Sequence, residues 1–155
     1  MGTTTFTGPI RAGDVLNTTG STAGSVANVG YAVMAQSVAI TQSATAAATT
    51  ICIPANSQII GISALVTVGF TGAAGTLNVG TTSTSTELVA AANFDLAAVG
   101  LASATPGTDA TRTGRWIDVG ANDVIIYVKA ANAPVTTTGA AVLTVRYVQA
   151  YNLTP

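Results

Sequence analysis

Hydrophobic and polar positions alternate with a period of two along most of this chain. The clearest stretch is Ile51 to Gly80, ICIPANSQIIGISALVTVGFTGAAGTLNVG. Two apolar runs flank Pro54-Ala55-Asn56-Ser57. Proline presets φ for a turn, and Asn and Ser bond their own backbone, so the chain is expected to reverse here. From Gln58 to Phe70 the strand period separates Ile60, Ile62, Ala64, Val66, Val68 and Phe70 from Ile59, Gly61, Ser63, Leu65, Thr67 and Gly69. The first set is wholly apolar and must be covered. The second is mixed and is free to meet solvent, a second layer or a partner. Beyond the Gly-rich break at 71–75, Leu77 and Val79 alternate with Thr76 and Asn78, so the whole stretch reads as a β-meander.

The same period extends to both sides. Tyr31 to Ser43 alternates as a strand, and the strand through Ile51 extends back over Thr49 and Thr50. Asn17 to Gly30, built of Gly, Ser, Thr and Asn with a few apolar residues, reads as loop; its glycines lack the Gly-Lys-Ser/Thr ending of a phosphate cradle. Helical spacing of Leu88, Ala91, Ala92 and Asp95, with Gly100 as a stop, predicts one short helix within Glu87 to Gly100. Ala102 to Gly114 reads as loop, and Arg115 to Val119 as the start of a strand. The unbroken apolar run Val124 to Val128 belongs at the centre of a sheet and pairs, as a long hairpin, with Ala141 to Tyr151. The fold class expected is all-β: a jelly-roll-like β-sandwich of seven or eight antiparallel strands with at most one short helix. A parallel α/β fold is excluded, because one helix cannot supply its crossovers. Gly8-Pro9 argues for an extended arm over residues 1–13, followed by a single domain over 14–155.

Charge changes the picture. Only 7% of the 155 residues are charged, 48% are hydrophobic, and the formal net charge is −1. No charge at all lies between Asp14 and Glu87. So long a neutral stretch points to surface covered in an assembly, the alternative being that Thr, Ser, Asn and Gln alone keep it wet. There is no basic field for phosphates, so no nucleic-acid partner is expected. Apolar runs are too short and too strand-like for a membrane span, and MGTTTFTGPIRAG lacks the charged and apolar regions of an export signal.

Candidate chemistry is sparse. The chain has no histidine and one cysteine, Cys52, which its neighbours Ile51 and Ile53 suggest is a small buried hydrophobe. Zinc has no credible ligands and neither acidic loop has the calcium repeat, so no cofactor or metal is expected. Asp109, Asp118 and Asp123 lie in or beside turns, where Asp usually bonds its own backbone; a paired-carboxylate site is the enzymatic alternative. Arg112 and Arg115 suit salt bridges to Asp109 or Asp118, an anion, or a neighbouring subunit. In the arm, Phe6 and Ile10 are apolar anchors flanking Pro9, and Arg11 is a fork of donors. Together with Arg112, Arg115 and Trp116 these four form the candidate interface to a partner or to a further copy of the chain. A receptor- or carbohydrate-binding module is the competing reading, carried by Trp116, Tyr127, Tyr147 and Tyr151.

The arm FTGPIRAG (Phe6 to Gly13) and IPANSQIIGISALVTVGFTGAAGTLNVGTT (Ile53 to Thr82) are similar to segments of small virion structural proteins of tailed bacteriophages, especially those of aquatic and cyanobacterial hosts. The resemblance covers about half of the chain in pieces. It implies a head-associated β-domain of the capsid decoration or cement type, without catalytic residues. The major capsid protein would be the partner, with self-association as a homotrimer. The expected location is the capsid surface, after synthesis in the host bacterial cytoplasm.

Overall fold

A computed structural model describes residues 11–17, 26–31, 33–71, 75–130 and 138–149. The strands are β1 (Arg11–Asn17), β2 (Val26–Tyr31), β3 (Met34–Thr41), β4 (Ala47–Ile53), β5 (Gln58–Val68), β6 (Leu77–Gly80), β7 (Gly100–Ala104), β8 (Val124–Ala130) and β9 (Ala140–Val148). One helix, α1 (Ala110–Ile117), and one 3-10 turn (Ala91–Asn93) complete the described elements. β1 and β2 pair with each other, and the other seven strands form two antiparallel sheets ordered β3-β9-β5-β7 and β4-β8-β6. The expected all-β sandwich is therefore the fold, and β8 sits at the centre of its sheet as its apolar run requires.

Pairing departs from the expectation. Successive strands from β3 to β9 alternate between the two sheets, so no two of them that follow each other in sequence are partners. Neither the meander through β4, β5 and β6 nor the hairpin of β8 with β9 exists. The turn at 54–57 does reverse the chain, with Asn56 at φ 55° and its N–H on the Gly120 carbonyl at 2.7 Å. It carries the chain across the sandwich rather than to the next strand of one sheet. Both outcomes bury the same apolar faces, and local sequence does not choose between them.

The core is where the two inner faces meet. Ile59, Ile62, Ala64, Val66, Leu143, Val145 and Tyr147 from one sheet pack in one cluster with Ile51, Ile53, Leu77, Val79, Ile126 and Val128 from the other. β5 keeps its expected facing only in the middle. Against β9 its register shifts between Ile59 and Gly61 and again between Val66 and Val68. Ile59 therefore turns inward, whereas Ile60 and Val68, expected in the core, are 42% and 46% exposed. An extra residue in one strand reverses the side on which its neighbours lie.

The predicted helix is also displaced. Across 87–100 the chain runs beside β6, with bridges Val79↔Val89 and Thr76↔Asp95, and Leu77 N–H donates to the Phe94 carbonyl at 3.0 Å. Leu88, Val89, Phe94 and Leu96 are all buried, a set too widely spread for one helical stripe. β7 and α1 instead occupy the stretch expected as loop and strand start. Asp109 caps α1 by accepting from Arg112 N–H at 3.0 Å. Among the described residues no helix is long and apolar enough to cross a membrane.

Two glycines predict opposite responses. A Cβ on Gly80 would collide with the Glu87 carboxylate and lie 2.6 Å from Ser85 Cα, so Gly80→Ala should cost about 1–3 kcal/mol. Gly114 lies inside α1 with open space where its Cβ would be, so Gly114→Ala should stabilise by about 0.5–1 kcal/mol. Denaturant midpoints measure both. A Gly80→Ala protein as stable as its parent would refute the tight packing of 80–87.

Candidate interaction surface

The outer face of the four-stranded sheet is built by registers that align like with like. Ala39, Val142, Leu65 and Leu101 stand opposite one another across β3, β9, β5 and β7. The adjacent row is Ser37, Thr144, Ser63 and Ser103, where the Ser37 and Thr144 hydroxyls are 2.8 Å apart. The third is Ala35, Arg146 and Gly61. Arg146 lies across Gly61, where a Cβ would meet its guanidinium Nη2 at 2.6 Å.

The first row is apolar and open. Leu101 is 75% exposed, Leu65 52% and Val142 37%; Val99, just before β7, is 69% exposed. Arg146 is the only charged residue in these four strands. Isolated exposed apolar residues need no explanation, but a row aligned across three strands forms one contact surface.

Arg112, Arg115 and Trp116 each make a hydrogen bond within the domain. Arg112 Nε donates to the Thr86 carbonyl and Trp116 Nε1 to the Leu88 carbonyl, each at 2.9 Å. Four residues apart on α1, they dock the helix on the segment beside β6. Arg112 also pairs with Asp109 at 3.8 Å. Arg115 Nη1 donates to the Val119 carbonyl at 3.0 Å. The structure thus brings Arg112 and Trp116 together and turns Arg115 to the end of the helix. Phe6, Pro9 and Ile10 lie outside the described residues; Arg11 opens β1 opposite Tyr31. Tyr147 is buried in the core, where its hydroxyl accepts from Gln36 Nε2 at 2.9 Å, and Tyr151 lies outside the described residues.

Cys52 is exposed, contrary to expectation. On a strand, two inward neighbours force the residue between them outward, and Ile51 and Ile53 are the buried pair. Asp118 and Asp95 bond their own turns, accepting from Gly120 N–H at 2.9 Å and Ala97 N–H at 2.8 Å, whereas Asp123 reaches another turn and accepts from Ala55 N–H at 2.8 Å. Among the described residues no three His, Cys, Asp or Glu side chains converge on a metal-sized site.

Glu87 is the most elaborately held acid. Its carboxylate accepts from the Thr82 and Thr84 hydroxyls and from the N–H groups of Thr81 at 3.2 Å and Thr86 at 3.0 Å. Burial pushes its pKa up, but these hydrogen bonds outweigh burial and hold it below the ordinary glutamate value. A depressed folded-state pKa stabilises above the unfolded value, and that contribution is lost as pH falls through the folded one. Stability should therefore decline as pH drops below about 4.5, and Glu87→Gln should shrink that decline. Asp109, lowered chiefly by the Arg112 N–H, accounts for a remainder. Thermal melts between pH 2 and pH 7 check this; an identical acid limb in Glu87→Gln would contradict it.

These elements define a small antiparallel β-sandwich with one docked helix and a largely uncharged outer face. Among solved structures, the chain is similar to a chain of the cyanophage Pam1 capsid asymmetric unit, with a TM-score of 0.50 and 20% identity. The match covers 85% of this chain and 95% of that one, so the two share a fold at nearly equal length. No family model matches the sequence, and no curated protein matches it.

Proposed function

We propose that this protein is a structural component of a phage virion, a cement or decoration protein that binds the outside of the capsid and stabilises it without catalysis. The observation that carries this reading is the open row Val142, Leu65 and Leu101 on a nearly chargeless sheet face. A surface of this kind suits permanent burial against another protein better than reversible capture of a charged ligand. The fold shared with a chain of a capsid asymmetric unit, at similar length, supports a small capsid-associated part. The alternation of strands between sheets, with 87–96 where an eighth strand would lie, supports reading the sandwich as a jelly roll.

In this reading the major capsid protein meets the row, a homotrimer spans neighbouring capsomers, and the protein resides on the capsid surface. The test is co-sedimentation of the purified protein with heads of its phage that lack it. Saturable binding at a fixed copy number per capsomer, with heads that then withstand higher temperature, is the expected result. A protein that stays in the supernatant at all concentrations would overturn the proposal.

A further inference from the structure

Arg146 is the single charge in the four strands whose outer face the capsid reading buries, and the strands beside it are shaped around its side chain. Ala35 of β3 and Gly61 of β5 stand opposite it. The register shift between Ile59 and Gly61 makes Ile60 an extra residue, so that glycine rather than isoleucine faces Arg146. Gly61 lies on the outer face with Ser63 and Leu65, yet it is buried. The guanidinium covers it, with Nη2, Cζ and Nε all within 3.1 Å of where a Cβ would stand. A bulge and a glycine together thus let the guanidinium lie down on the sheet.

The charge so placed is left without a counter-charge. Arg112 and Arg115 donate to backbone carbonyls of their own domain, but among the described residues Arg146 has no hydrogen-bond or ion-pair partner. Glu87, Asp95, Asp109, Asp118 and Asp123 accept hydrogen bonds elsewhere. In water a lone guanidinium is well solvated. Once a partner covers the face, the same group carries a heavy desolvation penalty unless an opposite charge meets it.

Arg146 is near enough to the apolar row to be covered with it. Side chains on one face of a strand recur every two residues, so Gly61 and Leu65 are about 13 Å apart along β5, with Ser63 between them. A protein contact of standard size takes about 800 Å² from each partner, a patch wide enough to hold both.

We infer that the partner sets a carboxylate on the Arg146 guanidinium, about 13 Å from the apolar side chains that it lays on the Leu65 row. The inference rests on the capsid reading and makes the group an Asp or Glu of the major capsid protein.

The test uses heads that lack the protein. Arg146→Gln should weaken co-sedimentation with them by at least about 30-fold, the usual loss when one member of a buried charge pair is removed. Its melting temperature should stay within about 2 °C of the parent, because the side chain has no partner in the described domain to lose. Cross-linking then identifies the carboxylate. Lys129 is the only lysine, so Arg146→Lys in a Lys129→Arg background moves the sole side-chain amine onto this face. A carbodiimide added to the assembled heads should join that amine to an Asp or Glu of the major capsid protein, seen by mass spectrometry as a linked peptide pair containing position 146. Lys129→Arg alone should give no such pair. If heads bind the parent and Arg146→Gln equally, or position 146 links to nothing or only to another copy of this chain, the inference is overturned and the capsid reading stands. A parent protein that does not bind heads overturns both.

Discussion

Replacing Leu65 with Gln and Leu101 with Lys together should lower binding to capsids by more than 100-fold, about 2.8 kcal/mol, while leaving the isolated domain folded. The size follows from where these residues stand. Leu65 lies on a central strand, between Val142 of β9 and Leu101 of β7, so the pair forms the middle and the end of one apolar row. Hot spots cluster at the centre of a contact and lose 2 kcal/mol or more when truncated; a buried, unpaired lysine adds its own desolvation cost. In the free protein the same changes are mild. Leu101 is 75% exposed on an edge strand, where lysine is a normal occupant, and Leu65 is 52% exposed beside the polar row of Ser63, Thr144 and Ser103, where Gln is readily solvated. The melting temperature should move by no more than about 4 °C, corresponding to roughly 1 kcal/mol for a domain of this size. A distant exposed change, Ala121→Lys, serves as the control. Full binding by the double variant would remove this face from the interface.

Much of this architecture was legible in the residues, because a period of two reports directly which side of a strand is covered. β3, β4, β5, β6, β8 and β9 lie where alternation puts them. Partner choice was not legible. The turn at Pro54 to Ser57 reverses the chain in either topology, and only packing of the whole sandwich selects the crossing. Cys52 shows a rule applied too loosely, since apolar neighbours on a strand argue for exposure of the middle residue, not burial. Ala-rich 87–100 reads as helix, but propensity is a weak guide beside the burial of Leu88, Val89, Phe94 and Leu96. The true signal of α1 was Asp109 as a cap, followed by Arg112 and Trp116 four residues apart. Their docking role was not legible, because the carbonyls that engage them, Thr86 and Leu88, are 26 and 28 residues away. The apolar row is not legible in local sequence for a related reason. Leu65 stood visibly on the mixed face of its strand, whereas its neighbours Val142 and Leu101 come from strands far off in sequence.

Truncating Phe94 to Ala should be the most destabilising single change, at about 3–5 kcal/mol, or roughly 10 °C in melting temperature. Phe94 is 1% exposed and the largest of the fully buried side chains. Its backbone is held on both sides, N–H to the Ala91 carbonyl at 3.1 Å and carbonyl to Leu77 N–H at 3.0 Å, so the site cannot collapse easily into the space the ring leaves. Trp116→Phe makes the comparison informative. It keeps an aromatic ring but removes the N–H that reaches Leu88, and should cost only about 0.5–1.5 kcal/mol. Both changes loosen the segment beside β6, one from its core side and one from its helix side. Amide exchange at 87–96 should therefore rise in each, and more in Phe94→Ala. If Phe94→Ala instead melted within about 2 °C of the parent protein, corresponding to less than roughly 1 kcal/mol, the segment would not be packed as a substitute for the eighth strand. The sandwich would then have an open edge at β6, where unpaired backbone groups would invite association with other chains.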